Sequence, residues 1–174
     1  MASKILLADG KHALVDDQDH GWLMAYGNWC YYKRGGYAYC KVHQGGQGAG
    51  AYKHVPMHRV IAIKHGIVPD DPKVLVDHED RNKLNNQASN LRPANRSQNG
   101  ANRPKPDTGA LGSYKGVSYD LAKERYRAVI RVNYKLIHLG WFRNARDAAL
   151  AYNEAAADYF GEFALLNEVA GHEQ

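Results

Sequence analysis

Seven consecutive residues, Val76-Asp77-His78-Glu79-Asp80-Arg81-Asn82, carry the densest chemistry in the chain. They end an apolar run, Val74-Leu75-Val76, and lead through Asn85-Asn86 and Ser89-Asn90-Leu91-Arg92 to Gln98-Asn99. An Asp-His pair at the end of a buried strand, an asparagine-rich loop and a polar helix bring a carboxylate, an imidazole and a second oxygen donor into one small unit. A carboxylate holds a hard divalent cation, and an imidazole titrating near pH 6.5 takes a proton from water at neutral pH. Such a set suits metal-assisted hydrolysis of a phosphodiester. A histidine by itself is more often a packed or solvated residue. Asp77, Asn90 and Asn99 at their spacings give His78 its weight.

The elements around this unit fall into three zones. Residues 4–56 read as a strand-rich lead-in. Ile5-Leu6-Leu7 meets an Asp9-Gly10 turn and pairs with Ala13-Leu14-Val15 as a hairpin. Asp16 or Asp17 caps a short helix bearing Trp22, Leu23 and Tyr26. Tyr37–Val42 is a strand, and the glycine-rich run 45–50 has no lysine or serine at phosphate-loop spacing. In the second zone Met57–His65 is a short helix ended by Gly66. Val74-Leu75-Val76 delivers Asp77 and His78, Leu91-Arg92-Pro93 is a second strand, and Asn95 caps a helix over 96–102. His58 either lines the site or packs beneath it, with packing favoured. Asp80, Asn82, Asn85 and Asn86 read as turn formers. The polar, proline-bearing stretch from Arg103 to Gly109 breaks any regular element and marks a linker.

Residues 112–167 form the third zone, three strands (114–119, 125–132 and 136–141) and a helix. The last two strands are joined tightly at Asn133-Tyr134. The helix runs from Ala145 to Phe160, capped by Asn144 and stopped by Gly161. Ala145, Ala148, Ala149, Tyr152, Ala155, Ala156 and Tyr159 form its apolar stripe. On the middle strand Tyr126, Ala128, Ile130 and Val132 alternate with Arg125, Arg127 and Arg131, so one face meets the helix and the other carries the arginines. A basic sheet backed by an acidic helix offers an oriented surface to DNA phosphates.

Totals agree without deciding. The 174 residues suffice for one medium domain or two small ones, 44% are hydrophobic, and the net charge is +5. The pI of about 9.1 leans toward a polyanionic partner. No apolar run nears the roughly 18 residues of a membrane span, and the first residues are too short a run for a signal peptide. Cys30 and Cys40 form no paired zinc motif and read as cytosolic thiols.

Two resemblances sharpen this reading. Ser113–Tyr119, Tyr126-Arg127-Ala128, His138-Leu139-Gly140, Asp147–Asn153 and Gly161–Asn167 occur in order and resemble the APETALA-two, or ethylene-response-factor, DNA-binding domain. The likeness implies a three-stranded sheet in the DNA major groove, with Lys115, Ser118, Asp120, Arg125, Arg127, Arg131 and His138 toward DNA. Ser118, Asp120 and His138 depart from the arginine or tryptophan usual there, so the base sequence read does not transfer. Asp77–Asn82, Asn90-Leu91-Arg92 and Asn99 resemble the HNH motif of phage and intron homing endonucleases, as do Gly10–Asp17 and Met57-His58-Arg59. That likeness implies Asp77 and Asn99 as ligands of Mg²⁺ or Mn²⁺, His78 as the base, and Asn90 as the residue that holds the loop and orients His78. Arg59, Arg92 and Arg96 read equally as phosphate contacts or as plainly solvated side chains.

The expected fold class is therefore α+β: a ββα-metal HNH nuclease domain over 1–103 (core 73–103), a linker over 104–112, and a three-stranded antiparallel sheet packed on one helix over 113–168. The expected function is a metal-dependent, site-specific homing-type DNA endonuclease acting on double-stranded DNA. Neither a small-molecule cofactor nor a membrane is expected. The protein would act as a monomer or a DNA-assembled dimer, in the cytoplasm (the host's, if phage-encoded). The rival reading is a DNA-binding regulator with a degenerate nuclease unit. An RNA-acting nuclease is disfavoured by the lack of a stacked aromatic platform.

Overall fold

A computed structural model describes residues 1–45, 51–105 and 114–169. The glycine run over 46–50 and the linker over 106–112 lie outside the described residues. The chain divides into two compact units, Met1–Ala94 and Asn95–Gln174.

The first unit opens with the expected hairpin, β1 (Ala2–Leu6) and β2 (His12–Asp16), paired antiparallel with Ser3 opposite Val15. Alternation sends Ile5, Ala13 and Val15 into the core. Helix α1 (Asp17–Tyr26) follows. Asp16 stands at its N-cap without a side-chain capping bond, because its carboxylate oxygens accept from Gln87 Nε2 at 3.1 Å and Ala88 N at 2.8 Å. The next sheet has the order β3 (Trp29–Tyr32), β4 (Tyr37–His43), β5 (Tyr52–Pro56), all antiparallel. Only β4 was legible in the sequence. Helix α2 (Met57–Lys64) then leads to β6 (Leu75–His78) and β7 (Leu91–Ala94), an antiparallel pair. Asp77 and His78 are thus the last two residues of a strand rather than the first of a loop.

Ile5, Leu7, Leu23, Met57 and Ile61, each 1% exposed or less, join the hairpin, α1 and α2 in one core. Each such side chain contributes about 1.5–3 kcal/mol through burial. Arg59, on α2, donates to the carbonyl oxygens of Val74, Pro69 and Asp71. It ties the 69–74 segment to the helix and is not presented to a phosphate.

In the second unit α3 (Arg96–Ala101) begins with a capping box. Gln98 N donates to Asn95 Oδ1, and Asn95 N donates to Gln98 Oε1, each at 2.9 Å. The unit boundary falls ahead of the one the prolines suggested, because α3 is held from the C-terminal side. Leu165 N donates to Ala101 O at 3.2 Å and Asn133 N to Ser97 Oγ at 2.8 Å. Strands β8 (Val117–Asp120), β9 (Arg125–Val132) and β10 (Lys135–Phe142) form an antiparallel sheet with β9 central, packed on α4 (Ala145–Phe160). Asn133 and Tyr134, with φ of 46° and 67°, make the left-handed two-residue turn expected between β9 and β10.

Ala128, Ala148 and Ala149 are fully buried, so small side chains let the helix lie close to the sheet. The stripe closes on Phe160, while Tyr159 is 52% exposed. Asn153 and Asn167 clamp the C-terminal segment: Asn167 N donates to Asn153 Oδ1 at 2.7 Å, and Lys115 N to Asn167 Oδ1 at 2.6 Å.

Gly116 sits where this packing is tightest. Its φ is +75°, and a Cβ there would fall 2.1 Å from Tyr152 Cδ2 and 2.6 Å from Val129 O. Tyr152 is buried, which pushes its phenol up to about 12. Gly116→Ala should therefore destabilise the second unit by more than about 3 kcal/mol. Denaturant melts should show that transition moved to lower denaturant, and an unchanged midpoint would contradict the close packing.

Candidate active site

Asp77 and His78 are neighbours on β6, so their side chains leave opposite faces of the ribbon. Asp77 lies directly across from Arg92 on β7. Arg92 Nε donates to Asp77 Oδ2 at 3.1 Å, with the side chains 11% and 7% exposed. Arg92 is thus committed to the carboxylate expected to hold a metal. It offsets the cost of burying that charge and is not an exposed phosphate clamp.

His78 is 4% exposed. Its Nε2 lies 3.3 Å from Asn86 Oδ1. The Asn86 amide is oriented by its other end, since Nδ2 donates to Leu84 O at 3.2 Å. His78 Nε2 therefore carries the proton and donates, leaving Nδ1 as the basic nitrogen. Burial lowers the imidazole from its ordinary value, and Lys83 adds to this. The Asn86 hydrogen bond and the charges of Asp80 and Asp77 oppose it without reversing it. The ring is neutral at pH 7, as a base must be.

The 79–90 loop is built around Asp80. Asn82 N and Asn90 Nδ2 donate to its Oδ1 at 2.8 and 2.9 Å, and Asn85 Nδ2 to its Oδ2 at 2.8 Å. Burial works to raise this carboxyl, but the bonds from Asn85, Asn90 and Asn82 outweigh it and hold it below the usual carboxylate value. Asn90 also accepts from Asp80 N at 3.0 Å and donates to Asn85 O at 2.8 Å. Asn90 holds the loop, as expected. The side chain that meets His78 Nε2 is Asn86, which the sequence reading treated as a turn former.

The loop is docked on the first hairpin. Leu14 N donates to Leu84 O at 2.8 Å, and Asn86 N to Leu14 O at 2.7 Å. Lys83 Nζ donates to Gly35 O at 2.8 Å and stands 4.7 Å from the Tyr37 ring centroid. Tyr37, His58 and His78 form a cluster, with ring centroids 4.9 Å apart for Tyr37–His58, 5.0 Å for His58–His78 and 5.9 Å for Tyr37–His78. His58 therefore packs against Tyr37 and His78. Its ring is half-buried, while its Nδ1 is covered and has no hydrogen-bond partner among the described residues. Burial above all, with the neighbouring His78 and Arg59, lowers it to about 3.

Of the residues expected to act, Asp77, His78, Asn90 and Arg92 are brought together in the first unit. Asn99, half-buried, and Arg96, exposed, stand on α3 in the second. Among the described residues there is no group of three His, Cys, Asp or Glu arranged to hold a metal. The described residues thus offer no closed protein cage. The buried Asp77 carboxylate instead fits a hard cation completed by water and phosphate oxygens.

Ser118, Arg125, Arg127, Arg131 and His138 share one face of the β8–β10 sheet, since Ser118 is opposite Arg127 and His138 opposite Val129. Lys115 does not join them. It precedes β8, and its Nζ donates to Ala101 O at the end of α3. Asp120 Oδ1 accepts from Ala122 N and Lys123 N, both at 3.0 Å, and shapes a turn.

Residues 55–101 match a family model described as HNH endonuclease. The matched segment runs from the end of β5 through α2, β6, β7 and α3, and holds Asp77, His78, Asn86, Asn90 and Asn99. A protein of Acanthamoeba polyphaga mimivirus, named as an uncharacterized HNH endonuclease, is 36% identical over 115 residues, covering 65% of this chain and 57% of its own length. The chain thus spans little more than half of that relative. Among the described residues no helix is long and apolar enough to cross a membrane.

Asn86→Ala should destabilise the first unit by about 1–3 kcal/mol, since it removes the amide that faces the buried His78 ring and holds Leu84 O. Denaturant melts check this, and an unchanged midpoint would contradict the role of the amide. For His58 the unfolded value is near 6.5 and the folded value about 3, so the unfolded state binds the extra proton. Its contribution to stability is full above pH 6.5 and declines as pH falls toward 3, by up to about 1.4 kcal/mol per pH unit. Thermal melts of the wild type should drop from pH 7 to pH 5 more steeply than those of His58→Phe; parallel curves would contradict a buried neutral imidazole.

Proposed function

We propose that the protein is a metal-dependent DNA endonuclease of the homing type, with the β8–β10 sheet delivering double-stranded DNA to the HNH unit. The observation that carries this is a buried imidazole, facing an amide oxygen at Nε2, next in sequence to a buried carboxylate. This pair lies inside the segment that matches the HNH endonuclease model.

His78 takes a proton from water, and the water oxygen attacks the scissile phosphorus in line with the 3′-oxygen. The Asn86 amide oxygen accepts from Nε2–H and grows more favourable as the ring becomes imidazolium. Asp77, steadied by Arg92, would supply a carboxylate ligand for Mg²⁺ or Mn²⁺. When bound, such a cation stabilises charge on the phosphorane and the leaving oxygen. Products are a 5′-phosphate and a 3′-hydroxyl. Tethering two DNA-contacting units on one chain raises their effective concentration on one duplex.

The test is cleavage of supercoiled DNA with Mg²⁺ or Mn²⁺ beside EDTA, His78→Ala and Asp77→Asn controls. Metal-dependent open circle or linear DNA, reduced at least about a thousandfold in His78→Ala, is expected. Metal-independent cutting, or full activity in His78→Ala, would refute this mechanism. Salt-sensitive binding with no cutting under any divalent ion would favour a DNA-binding regulator.

A further inference from the structure

The sheet face that carries the arginines is not purely charged, and the cause is a break in strand alternation. Strict period two along β10 groups Leu136, His138, Gly140 and Phe142, and sends Trp141 to the helix side. The pairing shifts by one residue between His138 and Gly140. As a result Trp141 lies opposite Arg127, and Phe142 opposite Tyr126. Leu139 and Phe142 both pack into the helix-facing core, and Trp141 emerges among the arginines.

Trp141 is half-buried there. Its ring makes an edge contact with His138, centroids 5.2 Å apart, and Lys123 Nζ stands 4.1 Å over it. Val129 lies opposite His138, and Leu136, opposite Arg131, is 50% exposed. Arg127 has a covered Nε with no hydrogen-bond partner among the described residues. A face kept only for solvation has no use for an indole, a leucine and a valine between cations. Phosphates account for the cations but not for an apolar stripe. In the major groove the apolar feature of a base edge is the thymine C5-methyl.

We propose that Trp141, with Val129 and Leu136 further along the same sheet face, is a specificity-determining contact that reads thymine methyl groups, while Arg125, Arg127 and Arg131 hold the backbone. This rests on the reading of the sheet as a duplex-DNA surface, and goes beyond it by naming the base feature selected and the residue that selects it.

The test uses the full chain with EDTA to stop cleavage. A duplex recovered by the chain from a random-sequence pool is made once with thymine and once with uracil, which differ only by the methyl. The wild type should bind the uracil duplex about fourfold or more weakly, the scale of one buried methyl. Trp141→Ala should bind both equally, at near the weaker affinity, with the salt dependence unchanged. Arg127→Ala and Arg131→Ala should keep the thymine preference and lower the salt slope by about one each. A wild type indifferent to the methyl overturns the inference even where Trp141→Ala fails to fold. A thymine preference surviving in Trp141→Ala overturns it too. If both arginine variants keep wild-type affinity and slope, the sheet does not face DNA, and the reading beneath the inference fails as well.

Discussion

Asn86 is wholly buried, and the site depends on how its polar atoms are satisfied. Its backbone N–H goes to Leu14 O, its Nδ2 to Leu84 O, and its Oδ1 faces His78 Nε2. Turning the amide over would set its Oδ1 against Leu84 O and leave that buried amide oxygen unpaired, at a cost of about 1–3 kcal/mol, while Leu84 O would keep its bond from Leu14 N. One amide orientation is therefore favoured, and with it one tautomer of His78. The β1–β2 hairpin, remote in sequence, supplies Leu14 and the Asp16 carboxylate that grip the loop. The lead-in segment thus helps to fix the loop that faces His78.

Charge is distributed by the same logic of satisfaction. Asp77 and Asp80 are three residues apart yet sit in different surroundings. Asp80 is surrounded by amides and spends its oxygens on the loop, while Asp77 shares the ribbon with Arg92. His58 and His78, ring against ring, cannot both carry charge at low cost, and burial keeps both below the ordinary histidine value.

Much of this was legible in the sequence. Asp77, His78, the capped helix after Asn95 and the three strands and helix of the C-terminal region were readable because apolar period and capping residues agree locally. What escaped did so for physical reasons. Strand β3, Trp29-Cys30-Tyr31-Tyr32, is almost wholly aromatic, and β5 sets Lys53 and His54 before Val55 and Pro56, so neither shows clean alternation. Asn85 and Asn86 are identical in type, and only docking on Leu14 decides which meets the histidine. Arg59, Arg92 and Lys115 looked like phosphate ligands because a cation's partner (a carbonyl, a cross-strand carboxylate, a helix end) is set by tertiary structure. The shift in β10 that moves Trp141 across the sheet has no period to announce it.

The central claim is that His78 stands neutral at pH 7 with its proton on Nε2. Long-range ¹H–¹⁵N correlation of the histidine rings, with His78 assigned by its loss in His78→Ala, reads this directly. The account predicts a protonated Nε2 and an unprotonated Nδ1 at pH 7. A proton on Nδ1, or an imidazolium, would contradict it.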